Sequence, residues 1–302
     1  MSLRVNPNPS LNLADSLDLL NQQESTALEQ LSSGQSVNEP ADNPAALAAL
    51  IQNHAAAGQT DQYTQSIASV QGALQTADAA LNTVVTSLGQ ALSLATEGAN
   101  GTLTASQRQA IASQVDNLQQ QILLAANQSY QGSYIFGGTA STAPPFVAIS
   151  TSPSGVSYVG NNGVNSIELA PGETAAINKP GDQIFNIAGA DVFQALQDLS
   201  NALSANNQSA VATAATEVQN AFNAVGVQRT FYGATLQRMQ TMDTFLSTEK
   251  VELSQQATQL VGADMAQVAT NLSHLQVQRQ ALVQAESQVL GQPNLFQYMP
   301  VP

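Results

Sequence analysis

The stretch IASVQGALQTADAALNTVVTSLGQALSLA, residues 67–95, decides the architecture. Its apolar positions Ile67, Val70, Leu74, Ala77, Leu81, Val84, Leu88, Ala91 and Ala95 alternate three and four residues apart. An α-helix turns once in about 3.6 residues, so this spacing keeps one face apolar for about eight turns. It predicts a long helix laid against other helices, in the manner of a coiled coil.

The same alternation recurs elsewhere. Ile111, Val115, Leu118, Ile122 and Ala125 form a second seam. Leu196, Leu199 and Leu203, then Val211, Ala215, Val218, Phe222 and Val225, continue the helical patterning. Near the C-terminus Val261, Met265, Val268, Leu272, Leu275, Arg279, Leu282, Glu286 and Val289 keep the period. Just before them, Met239, Met242, Leu246, Leu253 and Leu260 follow a register offset by one residue. Such an offset alters supercoiling locally and marks a joint between two stretches of one helix. At the other end Leu17, Leu20, Leu28 and Leu31 form a stripe interrupted by Glu24.

Boundary residues supply mechanisms for starting and stopping these helices. Gly34 comes after the Leu28–Leu31 turn, where a left-handed C-terminal cap needs no Cβ. Asn43 and Pro44 fit an N-cap and a first helical position, since a proline there loses no hydrogen bond. Thr104 with Gln107 reads as a capping box, and Gly98 to Gly101 as the turn before it. Two long segments joined by so short a turn should lie antiparallel.

Between about Tyr130 and Phe185 the period changes. Tyr134-Ile135-Phe136, Phe146 to Ile149, Val156 to Val159 and Ile167 to Leu169 are short strand-like runs. Gly137-Gly138, Pro144-Pro145, Asn161-Asn162-Gly163 and Pro171-Gly172 punctuate them. The expected fold is therefore mainly α: an elongated antiparallel helical bundle or coiled coil formed by both chain ends and the inner helices, with a small β-rich insert. The expected divisions are an N-terminal arm, 1–40, a helical rod in two halves, 41–140 and 187–260, the insert, 141–186, and a C-terminal arm, 261–302.

Composition narrows the function. Only 9% of residues are charged, against roughly 25% in an ordinary soluble chain, and Gln, Asn, Ser and Thr fill the polar positions. A neutral polar surface resists close neighbours less than a charged one. The net charge of −14 and the scattered Lys and Arg argue against nucleic acid and against anionic membrane as partners. No stretch is long and apolar enough for a membrane helix, and Met1 to Pro9 lack the apolar core of a cleaved signal peptide. Absence of Cys removes thiol nucleophiles, disulfides and Cys-based metal sites. His54 and His274 lie on different helices, and Asp61, Asp78, Glu97 and Asp116 read as solvated faces. Gly137-Gly138 is a turn with no phosphate-loop continuation. Neither an enzyme nor a cofactor is expected.

Several stretches resemble one family. Leu31-Ser32-Ser33-Gly34-Gln35-Ser36-Val37-Asn38 is similar to the Leu-Ser-Ser-Gly-x-x-Val/Ile-Asn motif of the flagellin superfamily. Pro40-Ala41-Asp42-Asn43-Pro44-Ala45-Ala46 resembles the Pro-x-Asp-Asp/Asn-Pro-Ala signature of its hook-associated protein 3 family. Gly132 to Thr139, then Pro145-Phe146, Tyr158, Gly160, Pro171-Gly172 and Gly181-Asp182-x-x-Phe185, resemble that family's middle segment. Asn294 to Met299 looks like its Leu-Phe-Asn-Tyr-Leu ending. The chain departs from the family at its start, where Pro7 and Pro9 oppose a regular helix, and at Gln35, where a basic residue is usual.

The resemblance implies a structural subunit that joins the hook to the filament of the bacterial flagellum. Such proteins are exported unfolded by the flagellar type III apparatus and form a ring on hook-associated protein 1. The ring presents a surface to flagellin, and a cytosolic export chaperone binds the C-terminal segment, here including Val268 to Leu282. The location implied is extracellular, at the hook–filament junction. Two other readings are a flagellin and a stalk that offers the Phe146–Phe185 insert to a ligand.

The terminal arms carry the expected assembly residues. Nothing in the sequence beyond the partner arm is available to cover their apolar stripes. Leu17, Leu20, Leu28, Leu31, Met265, Val268, Leu272, Leu275, Leu282, Val289, Leu295 and Phe296 are accordingly read as subunit-interface positions. Helices of about twenty residues are marginal in water alone, and ordering a residue costs roughly 1–2 kcal/mol. Both arms are therefore expected to be loose in the free monomer. They gain order when packed against neighbours, where a buried leucine is worth about 2–5 kcal/mol.

Overall fold

The computed structural model describes residues 9–149 and 151–290. The long helices are α1 (Pro9–Ser33), α2 (Pro44–Gly98), α3 (Ala105–Ala126), α5 (Val192–Ser204), α6 (Gln208–Val261) and α7 (Met265–Leu290); α4 is a single turn, Asp182–Phe185. Between α3 and α5 lie β1 (Ser129–Tyr130), β2 (Ser133–Tyr134), β3 (Phe146–Ala148), β4 (Val156–Tyr158), β5 (Ser166–Ala170), β6 (Glu173–Ala176), β7 (Asn186–Ile187) and β8 (Ala190–Asp191). They pair successively as four two-stranded antiparallel hairpins. The fold is mainly α with a small β-rich middle, as the sequence indicates.

Two compact units emerge. One is built from both chain ends, up to Gly58 and from Lys250; the other runs from Gln59 to Glu249. These divisions fall inside α2 and α6. The strands reach from Ser129 to Asp191, beyond both ends of the 141–186 segment.

In the Gln59–Glu249 unit the α2 seam is the core. Ile67, Leu74, Ala77, Leu81, Val84, Leu88, Ala91 and Ala95 are buried, and Val70 packs half-buried beside them. Ile111, Val115 and Ile122 of α3 and Leu196, Leu199 and Leu203 of α5 join the same cluster. On α6 the buried hydrophobic positions in this unit are Val211, Ala214, Val218, Ala221, Val225, Tyr232, Met239 and Leu246. Ala215 and Phe222, placed in the seam from the sequence, instead flank it half-buried, and the Phe222 ring lies beside Gly89. Small Ala214 and Ala221 let the helix axes approach more closely than a phenylalanine in the seam would allow.

The few aromatic residues are concentrated under the hairpins. Phe136 meets Phe185 edge-on at 5.4 Å, Phe146 meets Phe185 at 5.1 Å, and Phe146 meets Phe193 at 5.4 Å. Each such pair adds about 0.5–1.5 kcal/mol beyond the area it buries. The cluster explains how hairpins of two to five residues per strand stay in place: their anchors are rings in a core that helices complete. Strands β1, β6, β7 and β8 escape sequence reading because two-residue runs and Glu173-Thr174-Ala175-Ala176 carry no β-branched alternation.

Two polar groups are buried here with clear partners. Arg108, 5% exposed, donates from Nε to the Gly98 carbonyl at 2.9 Å and from its terminal nitrogens to Asn100 and Leu103 carbonyls and to Asn206 Oδ1. It thus closes the C-terminal end of α2, where unpaired carbonyls and the helix dipole favour a cation. Replacing Arg108 by Met strands those carbonyls and should cost roughly 2–3 kcal/mol in denaturant unfolding; a midpoint unchanged from wild type would show that the turn holds itself.

Tyr232 is fully buried, and its hydroxyl accepts the Lys179 N–H at 3.2 Å. Burial pushes its pKa up to about 12. An unfolded phenol ionises near about pH 10, so the fold opposes ionisation and stability should fall as pH rises from about 10 towards about 12. Unfolding measured across that range should show the loss, and Tyr232→Phe should flatten it.

Candidate assembly arms and their clasp

The unit built from both chain ends begins with α1 and ends with α7. Pro9, which opposes a helix when read as an interior residue, opens α1, where its missing N–H has no partner to lose. The last turn closes at Gly34, whose φ of +71° allows its N–H to reach the Gln30 carbonyl at 2.9 Å. A residue with a Cβ would be strained there. This is the physical content of Leu31-Ser32-Ser33-Gly34: a left-handed stop three residues after the last apolar residue.

The residues just past this stop tie the two chain ends together. The Ser36 N–H donates to the Val261 carbonyl at 2.6 Å, the Ser36 hydroxyl donates to the same oxygen at 3.1 Å, and the Ala263 N–H donates to the Gly34 carbonyl at 3.0 Å. Gln35 and Gly262 form an antiparallel bridge between them. Val261 is the last residue of α6, so the clasp also satisfies a helix-terminal carbonyl.

The register change read as a joint within one helix is in fact a break between two. Gly262 and Asp264 supply the cause. A Cβ on Gly262 would sit 2.3 Å from the Thr258 carbonyl, and Asp264 Oδ1 accepts the N–H groups of Ala266 and Gln267, capping α7. The glycine–aspartate pair was the available signal for that break.

The linker from α1 to α2 is also knotted locally. Asp42 Oδ2 accepts the N–H groups of Glu39 and Asn38 at 2.9 and 3.0 Å, which hold its carboxyl below the usual range. Asn43 Oδ1 accepts the Ala46 N–H at 3.1 Å, so Pro44 opens α2 as expected. Asp42 and Asn43, the polar pair within Pro40 to Ala46, thus each have a defined task.

The arms pair with each other, antiparallel. Ala27, Val268 and Leu272 form a small buried cluster flanked by half-buried Leu31 and Leu275. Leu20 is buried, and Leu17 and Leu282 are half-buried. Glu24 and Arg279, which interrupt the two apolar stripes in the sequence, meet at 3.3 Å across the pair. Leu28 and Met265 remain 49% and 43% exposed. The Val289 side chain, Leu295 and Phe296 lie outside the described residues. Leu19, Val277 and Val283, off the heptad stripes and so missed by periodicity, are 56%, 62% and 50% exposed. An open recess of about 570 Å³ runs between α1 and α7, lined by amides with His274, over Ala27 and Val268.

Among the described residues no group of three or more His, Cys, Asp or Glu is placed to hold a metal, and no helix is long and apolar enough to cross a membrane. The arms offer apolar surface and amides.

Family comparison places these features. The family model for the bacterial flagellin N-terminal helical region matches residues 6–141, and that for the C-terminal helical region matches 215–299. The chain belongs to the bacterial flagellin family. Both halves of the clasp and both arms fall within the matched regions of this flagellin-family chain, whereas strands β3 to β8 and α5 fall between them.

Within the family the chain is similar to flagellar hook-associated protein 3 of Escherichia coli (strain K12), 27% identical over 295 residues covering 89% of this chain and 90% of the relative. It is similar also to the Salmonella typhimurium protein of that name, 26% identical over 281 residues covering 85% and 86%. The solved structure of flagellar hook-associated protein 3 from Legionella pneumophila shares the fold, with a TM-score of 0.62 at 13% identity over 71% of this chain and 98% of that one.

The Glu24–Arg279 pair should set the register of the arms. Glu24→Arg or Arg279→Glu alone opposes like charges, and the double exchange restores the pair. A double-mutant cycle on arm unfolding, read by hydrogen exchange in α1 and α7, should give a coupling of about 0.5–1 kcal/mol. Additive effects would mean that the pair specifies nothing.

Proposed function

We propose that this chain is a non-enzymatic subunit of the bacterial flagellum that joins the hook to the filament. One observation carries the reading: the match to hook-associated protein 3 relatives runs through about nine-tenths of both chains. A shared module grafted onto another protein would match in one part. The solved structure of a flagellar junction protein from Legionella pneumophila, similar in fold over 65% of this chain with a TM-score of 0.54, agrees with it.

The subunit assembles through its arms. Their mutual cluster is thin, with three buried residues, and leaves Leu19, Leu28, Met265, Val277 and Val283 open to water. Neighbouring subunits would cover these side chains, and Leu295 and Phe296 are proposed as further interface positions. The partners proposed are further copies in a ring, hook-associated protein 1 beneath, flagellin above, and before export a chaperone on the Val268 to Leu282 segment. The place is the extracellular hook–filament junction, reached by the flagellar type III route. Arms that order fully only on assembly would suit that route. The divisions 1–40, 41–140, 141–186, 187–260 and 261–302 serve as the functional segments of this scheme.

Deleting the gene in its own host and examining cells by electron microscopy tests the reading. Hooks without filaments, with flagellin monomers shed into the medium, are expected. Normal filaments and swimming would overturn the junction role, and loss of filaments without shed flagellin would mark the chain as the filament subunit.

A further inference from the structure

Five of the chain's seven basic residues are visibly engaged within it. Arg108 is buried on carbonyl oxygens. Arg229 pairs with Asp78 at 2.8 Å, Arg238 with Glu173 at 2.6 Å and Arg279 with Glu24 at 3.3 Å. Lys179 donates to Gln228 Oε1 at 2.7 Å and lies over the Phe231 ring. The net charge is −14. Two copies that approach each other therefore meet mostly carboxylates, with few cations to offset the repulsion. A surface without acids avoids that repulsion.

Helices α2 and α3 carry one. Two recesses of about 480 and about 400 Å³ lie along this helix pair and share Gln121. The segments that line them, 76–94 and 114–128, contain two acids, Asp78 and Asp116. Both are turned away: Asp78 holds Arg229 of α6, and Asp116 accepts the Ser200 hydroxyl of α5 at 2.6 Å. The lining that remains is neutral, with Thr76, Thr83, Gln90, Gln114, Asn117 and Gln121 along its length. Among them stands Leu124, 73% exposed, the most exposed large apolar side chain among the described residues. A side-chain amide both donates and accepts, so a row of amides can meet an identical chain without any charge complementarity. The groove runs along about 28 Å of α2, long enough to seat a helix.

We propose that the α2–α3 groove is the surface on which a second copy of this chain packs, with Leu124 buried at the contact. The neighbours touch through uncharged amides and one apolar anchor, while their carboxylates stay on other faces. The proposal rests on the self-assembling reading above and names the surface through which subunits meet side by side.

Site-specific photocrosslinking on the full chain in its host tests it. With p-benzoylphenylalanine at position 124, irradiation of flagellated cells should give an adduct at twice the 31.4 kDa subunit mass. Leu124→Glu should cut the fraction of filament-bearing cells by about tenfold or more, whereas Leu124→Gln, which adds no charge, should cut it far less. Position 124 is exposed, so the purified variants should keep the wild-type thermal midpoint. Full complementation by Leu124→Glu, or an adduct only with a different protein, would overturn the groove and leave the junction reading standing. Filaments that persist without the gene would overturn the junction reading, and a self-adduct recovered once the position-124 variant is returned to that strain would still support the groove.

Discussion

The contact on which the arms depend joins residues 225 positions apart: Ser36 and Val261. Closing so long a segment costs entropy that grows only slowly with length, but two hydrogen-bonded linkers cannot meet that cost alone. The intervening chain meets most of it. Its helices share one continuous core that orders residues 59–249, and the clasp closes only the chain ends. Gly34, Gly262 and Asp264 then stop one helix and start another on either side of the bridge. The capping residues that look like punctuation in sequence thus act as the fasteners of a long-range contact.

Burial is unevenly divided. The Gln59–Glu249 unit holds nearly every fully buried large side chain, including Tyr232, Phe136, Phe185 and Leu81. The arm cluster has Ala27, Val268 and Leu272. Local opening is easiest where buried apolar contact is least, so α1 and α7 sit at the low end of the stability scale and the inner helices at the high end. The export and assembly proposed for this chain would gain from that order. In that proposal the parts that make new contacts are those with least to lose on letting go of old ones.

The division also decides what sequence could show. The seams of α2 and α3, with nine and five in-register apolar residues, were legible because each turn repeats the same signal, and the capping residues Gly34, Asn43, Pro44 and Thr104 were legible because their chemistry is local. The flanking place of Ala215 and Phe222 was not, since periodicity cannot tell which of two adjacent positions a closer helix approach will choose. The break at Gly262 was blurred by an apolar pattern that runs straight through it. The clasp was invisible: it is made mostly of backbone groups of Gly34, Ser36, Val261 and Ala263, whose side chains say little about it. Glu24 and Arg279 looked like two flaws in two stripes and are one ion pair.

A low content of charge ties these threads. With five bases engaged inside the fold, several acids are either paired, like Asp78, or used on backbone N–H groups, like Asp42 and Asp264. Surface polarity is left largely to Gln, Asn, Ser and Thr, which hydrate weakly compared with ions and lose little when another amide replaces water. Ion pairs between subunits would weaken with salt, since exposed charges are screened within about 10 Å at moderate ionic strength. Amide and apolar contacts are nearly indifferent to salt. At the extracellular place proposed for this chain, where the cell does not control ionic strength, a neutral surface would give cohesion that the surroundings cannot switch off.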